Sequence, residues 1–520
     1  MPGWQSLPLE LIVRILEALD PQTLVHCRRV IRLNKFLIDD TVSLQYRIAL
    51  YSAGLIDGPS STLTTSERLS LLKSYEASWK DMDWSAQISL PVAEGGLWEF
   101  YGNVWAHSTG IDTIEFVQLP SRLRGISLRQ WTVRLDFAPR DFGIDPSQDL
   151  LVTIERITNA SHLYRMRFLK LSTGEKYSLS SDTATNIEYT PATPVNPFLR
   201  LVFSIRVSGD YVGILFKDND FVTDGDYNEL VVWNWKTGSR NLSVTLLGIE
   251  SFTFFGDGYV MASSSPPRPL GNAQPALLLY SIDQRVAQNT ESPHAPLLRY
   301  LPPYSGVRGQ SLFICLMTSD PSPIWSSSPG LQVPFQIPHN ERAIAFTLRR
   351  RLDLIQGNSY GPTFLVPAST LLKHVNNITV GEEGRDIEWE QWGASGSLVP
   401  YQGQWSVNTC FVFGMRHILP LVVVRDDRQA MIVRDLCPRR CMRASEEERE
   451  ESNALHHTMG CVEPYPRTIV KCVPLPACIS NGSDVELMIS EDGVVILEVR
   501  HRHVCVIMAA RLTPWGCRPT

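Results

Sequence analysis

Residues Leu7 to Ile38 read Leu-Pro-Leu-Glu-Leu-Ile-Val-Arg-Ile-Leu-Glu-Ala-Leu-Asp-Pro-Gln-Thr-Leu-Val-His-Cys-Arg-Arg-Val-Ile-Arg-Leu-Asn-Lys-Phe-Leu-Ile. Ile12, Ile15, Leu16 and Leu19 fall at i, i+3, i+4 and i+7, one apolar stripe of a helix. Asp20 is placed to cap a second helix, with Pro21 at its first position, where a missing N–H costs nothing. Leu24, Cys27 and Ile31 continue at helical spacing, while Leu11, Val13, Val25, Val30 and Leu33 lie off these stripes. Two short helices cannot bury apolar residues on most of their faces against each other. A module of about forty residues is also below the size that usually folds alone. The surplus apolar surface therefore needs a cover, either a partner or the rest of this chain.

The helical pattern continues outward. Ser43 to Ala53 reads as a helix stopped by Gly54, and Asp57 to Thr62 as a loop. Thr64 and Glu67 have the spacing of a capping box, followed by an amphipathic helix marked by Leu69, Leu72, Tyr75 and Trp79. The texture changes near Asp83. From about Trp98 the signal is strands and turns: Trp131, Val133, Leu135 and Phe137 alternate, as do Tyr164, Met166 and Phe168.

One repeat stands out. Ser204, Gly209-Asp210 and Leu230–Trp235 recur as Ser251, Gly256-Asp257 and Leu277–Ile282, an offset of about 47 residues. A period of that length with several short strands per unit predicts propeller blades, roughly six to eight over this span. Glu491-Asp492-Gly493 is expected to join Val485–Ile489 to Val494–Val499 as a hairpin. A ring leaves no sheet edge open, and strands within Trp98–Val104 and Ile114–Leu119 are the candidates to complete the final blade. Pro191–Pro197 and Ser319–Pro338 read as loops.

The Leu-Pro opening, the Asp-Pro interruption and the run Leu24-x-x-Cys27-Arg28-x-Val30 resemble an F-box, the helical module that docks a protein onto the Skp-type adaptor of a cullin-RING ubiquitin ligase. Phe36 stands where family members often carry Trp. The Trp233-Asn234-Trp235-Lys236-Thr237-Gly238 and Asp145-x-x-x-Asp149-Leu150-Leu151-Val152 elements look like those of fungal F-box proteins with degenerate WD-like repeats. The resemblance implies a two-part α+β chain. Residues 1–56 would be the F-box helical module, 57–96 a helical linker, and 97–520 a β-propeller-like substrate-binding domain. It further implies that Leu7, Pro8, Ile12, Ile15, Leu16, Leu19 and Leu24 bind the adaptor and, through it, a cullin. The propeller would hold an unknown protein substrate, and the chain would be a non-catalytic receptor needing no cofactor. A scaffold that binds the adaptor outside any ligase is the alternative, and a propeller enzyme the third class.

Composition narrows the rest. The chain has 520 residues with 48 basic and 54 acidic side chains, a net charge of −6. No basic stripe suggests a nucleic-acid partner, no apolar run reaches membrane-span length, and no leader pattern opens the sequence. The expectation is a cytoplasmic or nuclear protein. Gly393–Ser397 nearly makes a nucleophile elbow but lacks its last glycine. Cys437, Cys441, His456, His457 and Cys461 include zinc-ligand types. The blander expectation there is an exposed charged loop with free thiols, since Glu446–Glu451 intervenes as an acidic run. Ser445, beside that run, is a candidate phosphate acceptor. Trp233, Trp235, Trp389, Trp392 and Trp405 are expected to pack between blades rather than to form a recognition surface.

Overall fold

Asp20 accepts a hydrogen bond from the Thr23 N–H at 2.9 Å and starts helix α2 (Pro21–Val30) with Pro21 in its first turn, as the spacing predicts. In the computed structural model α2 follows α1 (Leu9–Ala18) and precedes α3 (Arg32–Asp40), α4 (Val42–Ala53) and α5 (Thr65–Asp81). The structure describes residues 4, 7–58, 62–82, 86–91, 96–121, 124–157, 162–177, 186–192, 201–218, 227–264, 274–282, 295–303, 312–323, 333–350, 360–375, 378, 384–394, 403–404, 411–425, 428–458, 468–475, 479, 485–491, 493–498 and 503–508. Gly54 ends α4 in the left-handed region at φ +65°, a conformation that costs glycine little. Thr64 and Glu67 close a capping box at the start of α5, whose Leu69, Leu72, Tyr75 and Trp79 are all buried.

Beyond the helices, seven sheets of three to five strands follow one another among the described residues. Their first strands are Trp98–Tyr101, Asp141–Asp145, Leu201–Ser208, Phe252–Phe255, Leu312–Thr318, Val412–Phe413 and Val485–Ile489. Each of these lies at one end of its sheet, and the first five touch one another in chain order. Asp320 bridges to Phe413, joining the fifth sheet to the sixth, and Val412–Phe413 touches Val485–Ile489. Met488 and Val495 pack with Phe100 and Trp105, which returns the seventh sheet to the first. This is a β-propeller, with its inner strands around a common axis. Apolar layers fill the spaces between blades, such as Val152, Phe168, Phe203, Val231 and Trp235 between the second and third.

The repeat has a structural basis. Gly209 (φ +56°) and Gly256 (φ +51°) open the same left-handed turn between first and second strands of the third and fourth sheets. Leu230–Asn234 and Leu277–Ser281 then lie in the third strands.

The ring closes differently from the sequence expectation. Trp98–Tyr101, Val104–Ser108 and Thr113–Gln118 all pair within the first sheet. The final sheet is completed instead by Ala86–Pro91, which runs antiparallel to His503–Met508. The segment 57–96 thus contains α5 and then a propeller strand. Val485–Ile489 and Gly493–Glu498 do pair as a hairpin. Of the two proline-rich stretches, residues 193–197 and 324–332 lie outside the described residues. No helix among the described residues is long and apolar enough to cross a membrane.

Candidate functional site

The helical module has a core of its own. Ile12, Leu16, Leu24, Leu37, Ile38 and Leu44 are buried together, drawn from α1 to α4. Trp4 packs on this cluster and donates its Nε1–H to Asn34 Oδ1 at 2.9 Å. Arg47 Nη2 of α4 donates to Leu19 O at 2.6 Å, holding the end of α1.

This core divides the seven residues expected to meet an adaptor. Ile12, Leu16 and Leu24 are fully buried, so they shape the module rather than touch a partner. Leu7 and Leu19 are half-buried against the same core, and Pro8 and Ile15 are exposed. Leu9, Leu11, Val30, Phe36 and Val42 join Ile15 at the surface. These six are more than half of the eleven exposed large apolar side chains among the described residues. Phe36 is 64% exposed and Val30 78%. Covering each such group would gain on the order of 1 kcal/mol. Leu11 and Val30 were legible as surplus off the helical stripes; Leu9 carried no such signal.

The module is held firmly to the propeller. Tyr46, Leu50 and Ala53 of α4 join a core that includes Phe413, Ile418 and Val433 of the sixth sheet. Tyr46 Oη donates to Pro334 O at 2.6 Å. The last carbonyls of α4 receive arginines from the helix Pro438–Arg443: Arg439 Nη1 donates to Tyr51 O at 3.1 Å, and Arg440 Nη1 to Ala53 O. Cations at a helix C-terminus meet both its unpaired carbonyls and its dipole.

A second cluster lies on the propeller axis. Glu99, Tyr101, Arg206, Thr253, Ser319 and Asp320 line a cavity of about 30 Å³. Burial pushes Glu99 up to about 8, with Asp141 and Asp320 adding repulsion against the pull of Arg206. Burial likewise pushes Asp141 up to about 7. Arg206 Nη1 lies 3.7 Å from Asp320 Oδ1. Converging carboxyls are what a propeller enzyme would need, yet 30 Å³ has room for only about two water molecules. The lining residues come from four different blades, so no spacing in the sequence could reveal them.

The other sequence candidates resolve into packing. Residues 438–443 and 446–458 are helical, not a loop as expected, because Pro438 and Ser445 start helices there. Ser445 Oγ accepts from the Glu448 N–H, while Glu448 Oε2 accepts from the Ser445 N–H at 2.9 Å. Cys437 and Cys441 are buried, and burial pushes both thiols up. Among the described residues no group of three or more ligand-type side chains is placed to hold a metal ion; Cys461 lies outside them. Trp233, Trp235 and Trp392 are buried and Trp389 packs edge-on to Trp392, whereas Trp405 falls outside the described residues. Gly393 ends a helical turn, and residues 395–397 are likewise outside.

No family model matches the chain, and no curated relative matches it. Among solved structures it is similar to the tricorn protease at 9% identity and TM-score 0.35, over 79% of this chain and 33% of that one. It is also similar to the dihydro-heme d1 dehydrogenase NirN (10%, TM-score 0.29, 74% and 66%) and to a eukaryotic initiation factor (9%, TM-score 0.29, 81% and 87%). The chain spans about a third of the length of the protease structure. At these scores the likenesses carry no functional weight, and the propeller assignment rests on the strand pairing.

Proposed function

We propose that this chain is a substrate receptor of a Skp-cullin-F-box type ubiquitin ligase. In this reading α1 to α3 dock on the Skp-type adaptor, and the propeller presents a protein substrate. The observation that carries the reading is the apolar surface of the helical module, which stays exposed although the module has its own core and a rigid seat on the propeller. The two exposed members of the expected adaptor set, Pro8 and Ile15, would touch the partner together with Leu11 and Phe36. The chain itself contributes proximity and orientation, not chemistry. The propeller fold suggests a protein-interaction scaffold, and the adaptor-bound scaffold without ubiquitin transfer is the second reading, favoured by the same surface.

The test is capture of a purified Skp-type adaptor by the full chain. Leu11→Asp with Ile15→Asp should abolish capture, while Val202→Asp on the propeller surface should leave it intact. Wild-type chain that fails to capture the adaptor, or a double variant that captures it at full strength, would overturn the docking role. Recovery of a cullin in the same complex separates receptor from scaffold.

A further inference from the structure

A groove of about 410 Å³ runs along the seam between α5 and the sixth blade. It belongs neither to the exposed module surface nor to the axial cavity, and the docking role does not require it. Its volume lies within the range of small-molecule sites, roughly 300 to 1,000 Å³. The floor is apolar, formed by buried Leu72, Trp79 and Val433 with half-buried Ile469.

The walls are cationic. Lys73, Lys80, Arg416, Arg440, Arg443 and Lys471 line the groove against Glu76, Asp435 and Glu448, six positive groups to three negative in a chain of net charge −6. Each acid is already engaged. Asp435 lies 2.5 Å from Arg440 and 3.8 Å from Arg416, and Glu76 lies 3.4 Å from Arg416. Glu448 lies 3.3 Å from Lys471 and 3.6 Å from Lys80. The surplus is carried by two elements: Lys73 on α5 and Arg443 at the end of the helix Pro438–Arg443 are exposed and make no ion pair or hydrogen bond among the described residues.

We propose that this groove binds a small organic anion with a flat apolar body, its carboxylate, sulfonate or phosphate facing Lys73 and Arg443 and its body lying on Trp79 and Val433. An acid head matches the uncompensated charge, and the apolar floor supplies the rest of the contact. A ligand held there touches both α5 and the sixth blade, and so fastens the seat of the helical module.

The probe is 8-anilinonaphthalene-1-sulfonate, an anion on an aromatic body, with the uncharged N-phenyl-1-naphthylamine as its partner, each titrated into the full chain by fluorescence. The sulfonate should bind one to one with a blue-shifted emission. Lys73→Glu with Arg443→Glu, two surface positions that leave the floor intact, should weaken it by about tenfold or more and change the neutral probe by less than about twofold. Ala77→Trp, which fills the groove from α5, should remove both probes while circular dichroism shows the fold retained. No sulfonate binding by the wild type overturns the proposal. So does binding that neither variant alters, which would place the probe elsewhere. Binding lost in Ala77→Trp yet indifferent to the charge reversal would also overturn it, because the groove would then not select an anion.

Discussion

The guanidinium carbon of Arg416 stands 4.4 Å from the centroid of the Trp79 ring, and its Nη1 donates to Tyr75 Oη at 2.8 Å. One side chain of the sixth blade thus grips two aromatic residues of α5. It also lies within 3.4 Å of Glu76 and 3.8 Å of Asp435. The side chain is only 9% exposed, so these contacts are little screened.

Arg416→Met keeps an apolar stem and removes the charge. Asp435 retains Arg440 at 2.5 Å, so its carboxylate is not left alone. The expected cost is about 2 kcal/mol, read from the urea midpoint of unfolding. Arg416→Lys should recover little of it, because an ammonium cannot lie flat on the indole while bonding the phenol.

Gly213 is pressed against the next blade. A Cβ added there would meet Phe252 Cε2 at 2.6 Å and Cζ at 3.0 Å, both atoms of a fully buried ring. Gly213→Ala should therefore destabilise the propeller by about 1 to 3 kcal/mol. Adding Phe252→Leu should return part of that loss, giving a non-additive double-mutant cycle by thermal denaturation.

The axial carboxyls predict a pH dependence of definite sign. Glu99 and Asp141 hold their protons in the folded chain up to about 8 and about 7, well above the ordinary carboxyl range. The folded state binds more protons, so stability is greatest at low pH for these groups and falls as pH rises through those values. The buried histidines His107 and His417, lowered by desolvation, act on the other side: their contribution is lost as pH falls below the ordinary histidine range. Above the ordinary histidine range and up to about pH 8, where Glu99 ionises in the folded chain too and the slope fades, the fall therefore belongs to the carboxyls, each contributing at most about 1.4 kcal/mol per pH unit. Glu99→Gln should flatten the fall in melting temperature across that window.

Thr64 tests the start of α5. Its hydroxyl accepts from the Glu67 N–H while Glu67 Oε2 accepts from the Thr64 N–H at 2.7 Å. Thr64→Ala should cost about 1 kcal/mol and should raise amide exchange in the first turn of α5 ahead of the rest of the helix.

Local chemistry was the legible part of this fold. Asp20-Pro21, Thr64 with Glu67, and Gly54 each act within one helical turn, and all three do what their spacing predicts. The paired Gly209 and Gly256 turns were readable for the same reason, since a hairpin fixes its own register. What the sequence hid depends on ring closure. Ala86–Pro91 follows a helix with a short pattern, and only its pairing with His503–Met508 makes it a propeller strand. The helices at 438–458 read as a charged loop because their charges mask the two capping signals. Within the candidate surface, α1 spacing found Ile12 and Leu16 as readily as Ile15. It could not tell which would face the module's core, because that depends on how α3 and α4 pack against it.

The pairing of Ala86–Pro91 with His503–Met508 has a consequence for biosynthesis. The strand that seals the ring leaves the ribosome some four hundred residues before its mate. The same delay holds for Arg439 and Arg440, which grasp the end of α4. A nascent chain must therefore hold that one strand without its mate across this span, while the leading helices can close their own core first and gain the arginine grip on α4 only later.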